Sequence, residues 1–172
     1  LSIGWYLVLR YLHQPIVWID AFLFFCMTQP AKYIPGKIWL PLARMKFCKP
    51  LGIPNSISLL STGIEGVMEI FAGTYVSLIA LFQTELLRQF SVWGTVAISG
   101  LGLLILYPPI FYFFINLYLK IVRREPLAKN QRVSFFKLLG LQIIFTIGMF
   151  GFGVAHFLFL QSLAPVSLEH AA

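Results

Sequence analysis

Charge is scarce in this chain. Of 172 residues only 6 are acidic and 13 are lysine or arginine, so 11% of the sequence is charged, well under the roughly one quarter usual for a soluble domain. Cysteine is scarcer still. Cys26 and Cys48 stand alone, outside any CxxC or Cys/His cluster, which excludes a disulfide scaffold and a zinc module and predicts reduced or buried thiols. Enzyme signatures are missing too. No GxSxG elbow, HExxH or GxxxxGK[ST] occurs, and Pro35-Gly36-Lys37 lacks the upstream glycine of a phosphate loop. No metal or cofactor is expected. A role without catalysis is favoured, leaving room only for a membrane transferase or hydrolase with dispersed residues. Short-period repeats, low-complexity tracts and period-two alternation are also lacking, so neither a solenoid nor a transmembrane barrel is indicated.

Apolar residues fill the space that charge leaves. The chain is 59% hydrophobic with 17 phenylalanines, and its mean hydropathy is +0.83. Three long apolar stretches, at 55–82, 91–120 and 134–163, exceed the roughly 20 residues that cross a bilayer core. Each reaches about 40 Å as a helix, enough to cross with tilt. Asn55 or Ser56, Ser91 and Ser134 offer caps at their starts. Pro108 and Pro109 fall just past the middle of the second and predict a kink. The expected class is all-α, a polytopic integral membrane helical bundle.

The +7 net charge lies in loops rather than in a basic domain, which argues against nucleic acid and gives an orientation. Lys120, Arg123, Arg124, Lys129, Arg132 and Lys137 flank or fill the loop at 121–133, opposed only by Glu125. That loop is expected in the cytoplasm. Residues 83–90, with Glu85 and Arg88 in balance, are expected outside, and Arg44, Lys46 and Lys49 put the loop before the first span in the cytoplasm. The predicted location is the cytoplasmic (cell) membrane. Leu1 to Leu12 reads as the end of a helix, so the expectation is one membrane domain over 1–172 that belongs to a larger one.

Residues 15–49 break the pattern. The apolar run before Pro30 would make only about 22 Å of helix, and Ile38 to Cys48 about 16 Å, both too short to cross. Between them stands Pro30-Ala31-Lys32-Tyr33-Ile34-Pro35-Gly36-Lys37. Two half-length helices joined by Pro30, Pro35 and Gly36 suit a re-entrant hairpin, because irregular backbone at membrane depth needs cover from protein or a watery cavity. The rival is one thinned span followed by a surface helix.

Counting depth along the helices brings charges together. Lys37 lies about 16 Å in from Cys48, and Glu65 about 13–14 Å in from Ser56, with Glu69 one turn deeper and Arg44 nearer the cytoplasm. Charges at membrane depth are costly unless paired. Lys32, Lys37, Arg44, Glu65 and Glu69 are therefore the candidate substrate-binding residues, suited to an anion such as a phosphodiester. Structural pairing is the competing role for each, and Lys32 can also snorkel to a headgroup. Asp20 lines the site or caps a neighbour. Asn116 and Gln142 are expected as interhelical hydrogen bonds, His156 as a packed neutral ring, and Gly148, Gly151 and Gly153 as close-packing positions. The aromatic side chains are expected mostly at lipid or the interface.

The run Lys32-Tyr33-Ile34-Pro35-Gly36-Lys37-Ile38-Trp39, followed by Arg44, Gly52 and Glu65, resembles the lysylphosphatidylglycerol synthase transmembrane family, also called flippase-like domain proteins. The resemblance covers about residues 15–85 and beyond that is one of hydropathy. It implies a part of a larger flippase-like domain in a bacterial or archaeal membrane. It also implies movement of anionic or modified phospholipids or glycolipids between leaflets, with a lipid-modifying enzyme or a second copy as partner. No soluble aminoacyl-transferase portion is present here, so synthase activity is not implied. Two alternatives stay open: a non-transporting scaffold for a lipid-modifying enzyme, and an intramembrane transferase acting on a lipid-linked substrate.

Overall fold

A computed structural model describes residues 1–35, 38–81, 88–121 and 132–163. Every regular element among them is helical: α1 (Ser2–Tyr11), α2 (Trp18–Thr28), α3 (Trp39–Cys48), α4 (Asn55–Leu81), α5 (Arg88–Leu106), α6 (Pro108–Ile121) and α7 (Phe135–Leu163). Short 3-10 turns follow α2 (Gln29–Tyr33) and α3 (Lys49–Leu51). The all-α class is what the sequence predicts.

Helix α4 is the hub, packing against α1, α3, α5 and α7. Its apolar period supplies Ile57, Leu60, Ile64, Met68 and Ala72 to the core, where Trp5, Val8, Leu9 and Leu12 of α1 and Leu138, Leu141 and Phe145 of α7 meet them. Each set advances in steps that keep it on one side of its helix, i, i+3, i+4, i+7 in α1 and steps of three and four in α4 and α7, the mark of one buried helical face. Gly4 lets α1 and α7 touch: a Cβ there would stand 2.5 Å from the Phe145 ring.

Two helices end in the same way. After α3, Gly52 takes φ +73° while its N–H donates to the Lys49 carbonyl and that of Ile53 donates to Cys48. After α1, His13 takes φ 58°, with His13 N–H on Arg10 and Gln14 N–H on Leu9. Both are Schellman stops, in which the left-handed residue satisfies the last carbonyls.

Among the described residues the α-helix is interrupted after Thr28 and before Trp39. Helix α2 tightens into the 3-10 turn, Ile34 is extended (φ −79°, ψ 128°), and the α-helix resumes only at Trp39. The Trp39 indole spans the break, donating to the Pro35 carbonyl at 2.9 Å. Helices α2 and α3, 11 and 10 residues long, pack on each other through Phe24 and Phe47.

Elsewhere the expected spans change. Residues 91–120 are not one kinked helix: α5 stops at Leu106, α6 restarts at Pro108, and the axes of Gly100–Leu106 and Pro108–Leu117 differ by 68°. The physical cause is the proline pair. Neither proline has an N–H, so they sit as the first two residues of a new helix whose Tyr107 carbonyl accepts from Ile110 and Phe111. Helix α4 begins with the Pro54 carbonyl accepting from Ile57 and Ser58, one residue before the predicted cap. Among the described residues one unbroken helix, Phe135–Ser162, is long and apolar enough to cross a membrane, with the bent pair as a second if it counts as one span. Over the residues whose side chains are described, α4 is not among them, because Ser61, Thr62, Glu65 and Glu69 lower its hydropathy there.

Candidate functional site

The polar residues of α4 form one stripe. Ser58, Ser61, Thr62, Glu65 and Glu69 repeat at three and four residues, opposite the Leu60, Ile64, Val67, Phe71 edge. The hydroxyls of Ser61 and Thr62 fold back onto the Ser58 carbonyl at 2.8 and 2.9 Å, which neutralises them inside the helix. The two carboxylates remain. Each is met by a base from the broken hairpin.

Glu65 is paired with Arg44 of α3. Both guanidinium Nη atoms donate, Nη1 to Oε2 and Nη2 to Oε1, the latter at 3.0 Å. The fork-on-carboxylate geometry is the strong form of this contact. Arg44 is 0% exposed and Glu65 1%. The Arg44 Cζ lies 4.6 Å from the Trp5 ring centroid and 5.4 Å from that of Phe25, and aromatic faces are the apolar surface most hospitable to a cation. Trp5 is itself tied to the stripe, its Nε1 donating to Ser61 Oγ at 3.2 Å. One cluster thus joins α1, α2, α3 and α4.

Glu69, one turn on, is paired with Lys32 of the 3-10 turn, whose Nζ lies 3.1 Å from Oε2 and 3.2 Å from Oε1. This pair is open: the side chains keep 33% and 22% of their surface. Lys32 is a rotatable point charge, without the fixed fork that Arg44 presents to Glu65.

Of the five predicted binding residues, four therefore form two ion pairs on one helix face. Lys37 and Gly36 lie outside the described residues. The depth count set Lys37 level with Glu65 and Arg44 below it. In the structure it is Arg44 that meets Glu65. Pro30 starts the 3-10 turn and Pro35 closes the break. Asp20 is half-buried in the first turn of α2. Gln142 makes the expected interhelical contact, Nε2 reaching the Met68 carbonyl at 3.5 Å. His156 is exposed and stacked on Phe152 rather than packed in an interior. Gly148 is a close-packing position, its would-be Cβ 3.3 Å from Leu1, whereas Gly151 and Gly153 face open space. Both cysteines are free, Cys48 buried and Cys26 exposed.

Trp5, Phe25 and Ser61 escaped the sequence reading, which sent aromatic residues to the lipid. The signal was present: Trp5, Val8, Leu9 and Leu12 already mark an inward face.

A second feature lies on the other side of α4, a cleft of about 560 Å³ bounded by α4, the end of α5 and α6. Among the described residues no group of His, Cys, Asp or Glu is placed to hold a metal. No family model, curated protein or solved structure matches the chain.

Proposed function

We propose that this chain is part of a polytopic membrane protein that carries lipids with anionic or modified headgroups across the cytoplasmic membrane, with Lys32 and Glu69 at the point of headgroup contact. The membrane setting is supported by the surface. Ile19, Met27, Leu104, Phe113, Phe136, Ile147 and Phe152 are all more than half exposed, far more apolar surface than a soluble monomer leaves bare. Residues 15–49 then act as a re-entrant hairpin, and the basic loop at 121–133 lies in the cytoplasm.

One observation carries the assignment: two ion pairs share a helix face, and only one of them is open. Lys32 and Glu69 keep 33% and 22% of their side-chain surface, and a phosphodiester that takes the place of Glu69 leaves the ammonium paired, as a charge at membrane depth requires. Arg44 and Glu65 stay joined meanwhile, since separating a buried pair costs about 3–5 kcal/mol. The hairpin is therefore pinned to α4 at α3 and free to give at the 3-10 turn. The resemblance of the 32–39 run to flippase-like domains points the same way. No nucleotide-binding motif is in the sequence, so lipid or ion gradients, or scrambling, would supply the drive.

The test is leaflet exchange of a headgroup-labelled phosphatidylglycerol in vesicles carrying the full-length protein. Lys32→Ala should reduce exchange to the rate of protein-free vesicles, and Lys32→Arg should retain it. Wild-type exchange no faster than protein-free vesicles would end the proposal, as would full activity in Lys32→Ala.

A further inference from the structure

The cleft on the far side of α4 is distinct from the charged stripe. Leu60, Gly63, Val67 and Phe71 form one wall, Ile105 and Phe114 another, and every residue lining its 560 Å³ is apolar. That volume lies within the range of about 300–1,000 Å³ typical of small-molecule sites. The lining selects among occupants. Water is disfavoured, because apolar cavities stay dry. An extended peptide would bury N–H and C=O groups with no partner in the walls. A polar or charged ligand would find no partner among the lining side chains. A single hydrocarbon chain is narrow, flexible and free of polar atoms. It meets all three conditions. The open side supports the same occupant: Ile70 and Phe114 of the lining are more than half exposed, so in a bilayer the cleft opens onto lipid tails.

We infer that this cleft holds one acyl chain of a membrane phospholipid. The 68° turn at Pro108-Pro109 swings α6 away from the line of α5 and leaves the gap. Gly63 contributes by absence, with no atom within 4 Å of where its Cβ would stand. The inference shares the membrane setting with the translocation reading but not its mechanism. A lipid seated here can be a fixed structural lipid even if nothing is transported.

The experiment uses the full-length protein in phosphatidylglycerol and phosphatidylethanolamine vesicles doped with a phospholipid bearing a diazirine in its acyl chain. After illumination, adducts are mapped by mass spectrometry. Val67 and Ile115, in the cleft, should be labelled more strongly than Ile143 and Ile147, which are exposed on α7. Gly63→Leu fills the open space with a better helix former, and should lower cleft labelling about tenfold while α7 labelling holds, the change expected when one site is occluded. Ile70→Trp, at the exposed rim, is the second blocking variant and should act in the same direction. Uniform labelling of cleft and α7 would mean ordinary annular lipid and overturn the inference. Labelling of α7 with none in the cleft would mean that protein fills it, with the same result. Loss of exchange in Lys32→Ala with cleft labelling intact would separate this site from the transport reading.

Discussion

Glu65 and Glu69 are one helical turn apart on the same face of α4 and both pair with a base from the same hairpin, yet they inhabit different environments. Glu65 meets a planar, forked cation held over two aromatic rings and closed from solvent. Glu69 meets a flexible ammonium at the rim of a 3-10 turn. The difference arises from the elements that carry the bases. Helix α3 packs on α4 and brings α1 and α2 with it, so anything it presents to α4 is sealed. The 3-10 turn lies at the edge, where α2 has ended and α3 has not begun. A broken helix thus yields, within one turn, a sealed ion pair and an open one.

The sharpest way to break the comparison is to remove the sealed cation. Arg44→Ala leaves the Glu65 carboxylate buried without a partner and should cost about 3–5 kcal/mol, measured by unfolding of the full-length protein in detergent. Arg44→Met combined with Glu65→Leu removes both charges and should recover most of that loss, since well-packed apolar replacements of a buried pair are often neutral. A single variant as stable as wild type would show that the pair is not sealed.

That prediction rests on a contact the sequence only half disclosed. The extents of α4 and α7, expected at 55–82 and 134–163, are found at Asn55–Leu81 and Phe135–Leu163. Apolar length accounts for both; Ser134 stands at the start of α7 as expected, whereas α4 starts from the Pro54 carbonyl, one residue before the expected cap. The interruption at 30–39 was legible because proline and glycine act locally. The partner of Glu65 was not. Counting rises from helix ends gives equal depth only if both helices run along one axis from one level. It also ignores the long arginine side chain, which makes up the difference. The proline pair marked the place of the bend, and the structure breaks the helix there. One proline bends a helix, but two in succession remove adjacent donors, and restarting the helix at Tyr107 satisfies more of the backbone than a kink does. Trp5 was missed because composition assigns aromatic residues to lipid in an apolar chain, where only the period along α1 shows which one turns inward.

A smaller perturbation probes what surrounds the sealed pair. Trp5→Phe keeps a ring beneath Arg44 but deletes the indole donor to Ser61. The expected loss is about 1 kcal/mol, that of one buried hydrogen bond, by the same unfolding measurement. A loss as large as that of Arg44→Ala would mean that the indole, not the carboxylate, holds the guanidinium in place.

The open pair should give the smallest effect on stability, and its response to salt separates it from the sealed one. Lys32→Ala is expected to cost about 0.2–1 kcal/mol at low ionic strength, the usual worth of an exposed pair. Screening acts over about 10 Å at 0.1 M salt and about 3 Å at 1 M, so at 1 M the difference between Lys32→Ala and wild type should vanish. The deficit of Arg44→Ala should remain, because ions do not reach a guanidinium with no exposed surface. The two variants measured in parallel across that salt range therefore form one experiment. If the Lys32 difference persists at 1 M, the 3-10 turn is shut onto α4 and cannot release Glu69 to a phosphodiester. If both differences fade together, the Arg44 cluster is reached by solvent, and the distinction between anchor and exchange site collapses.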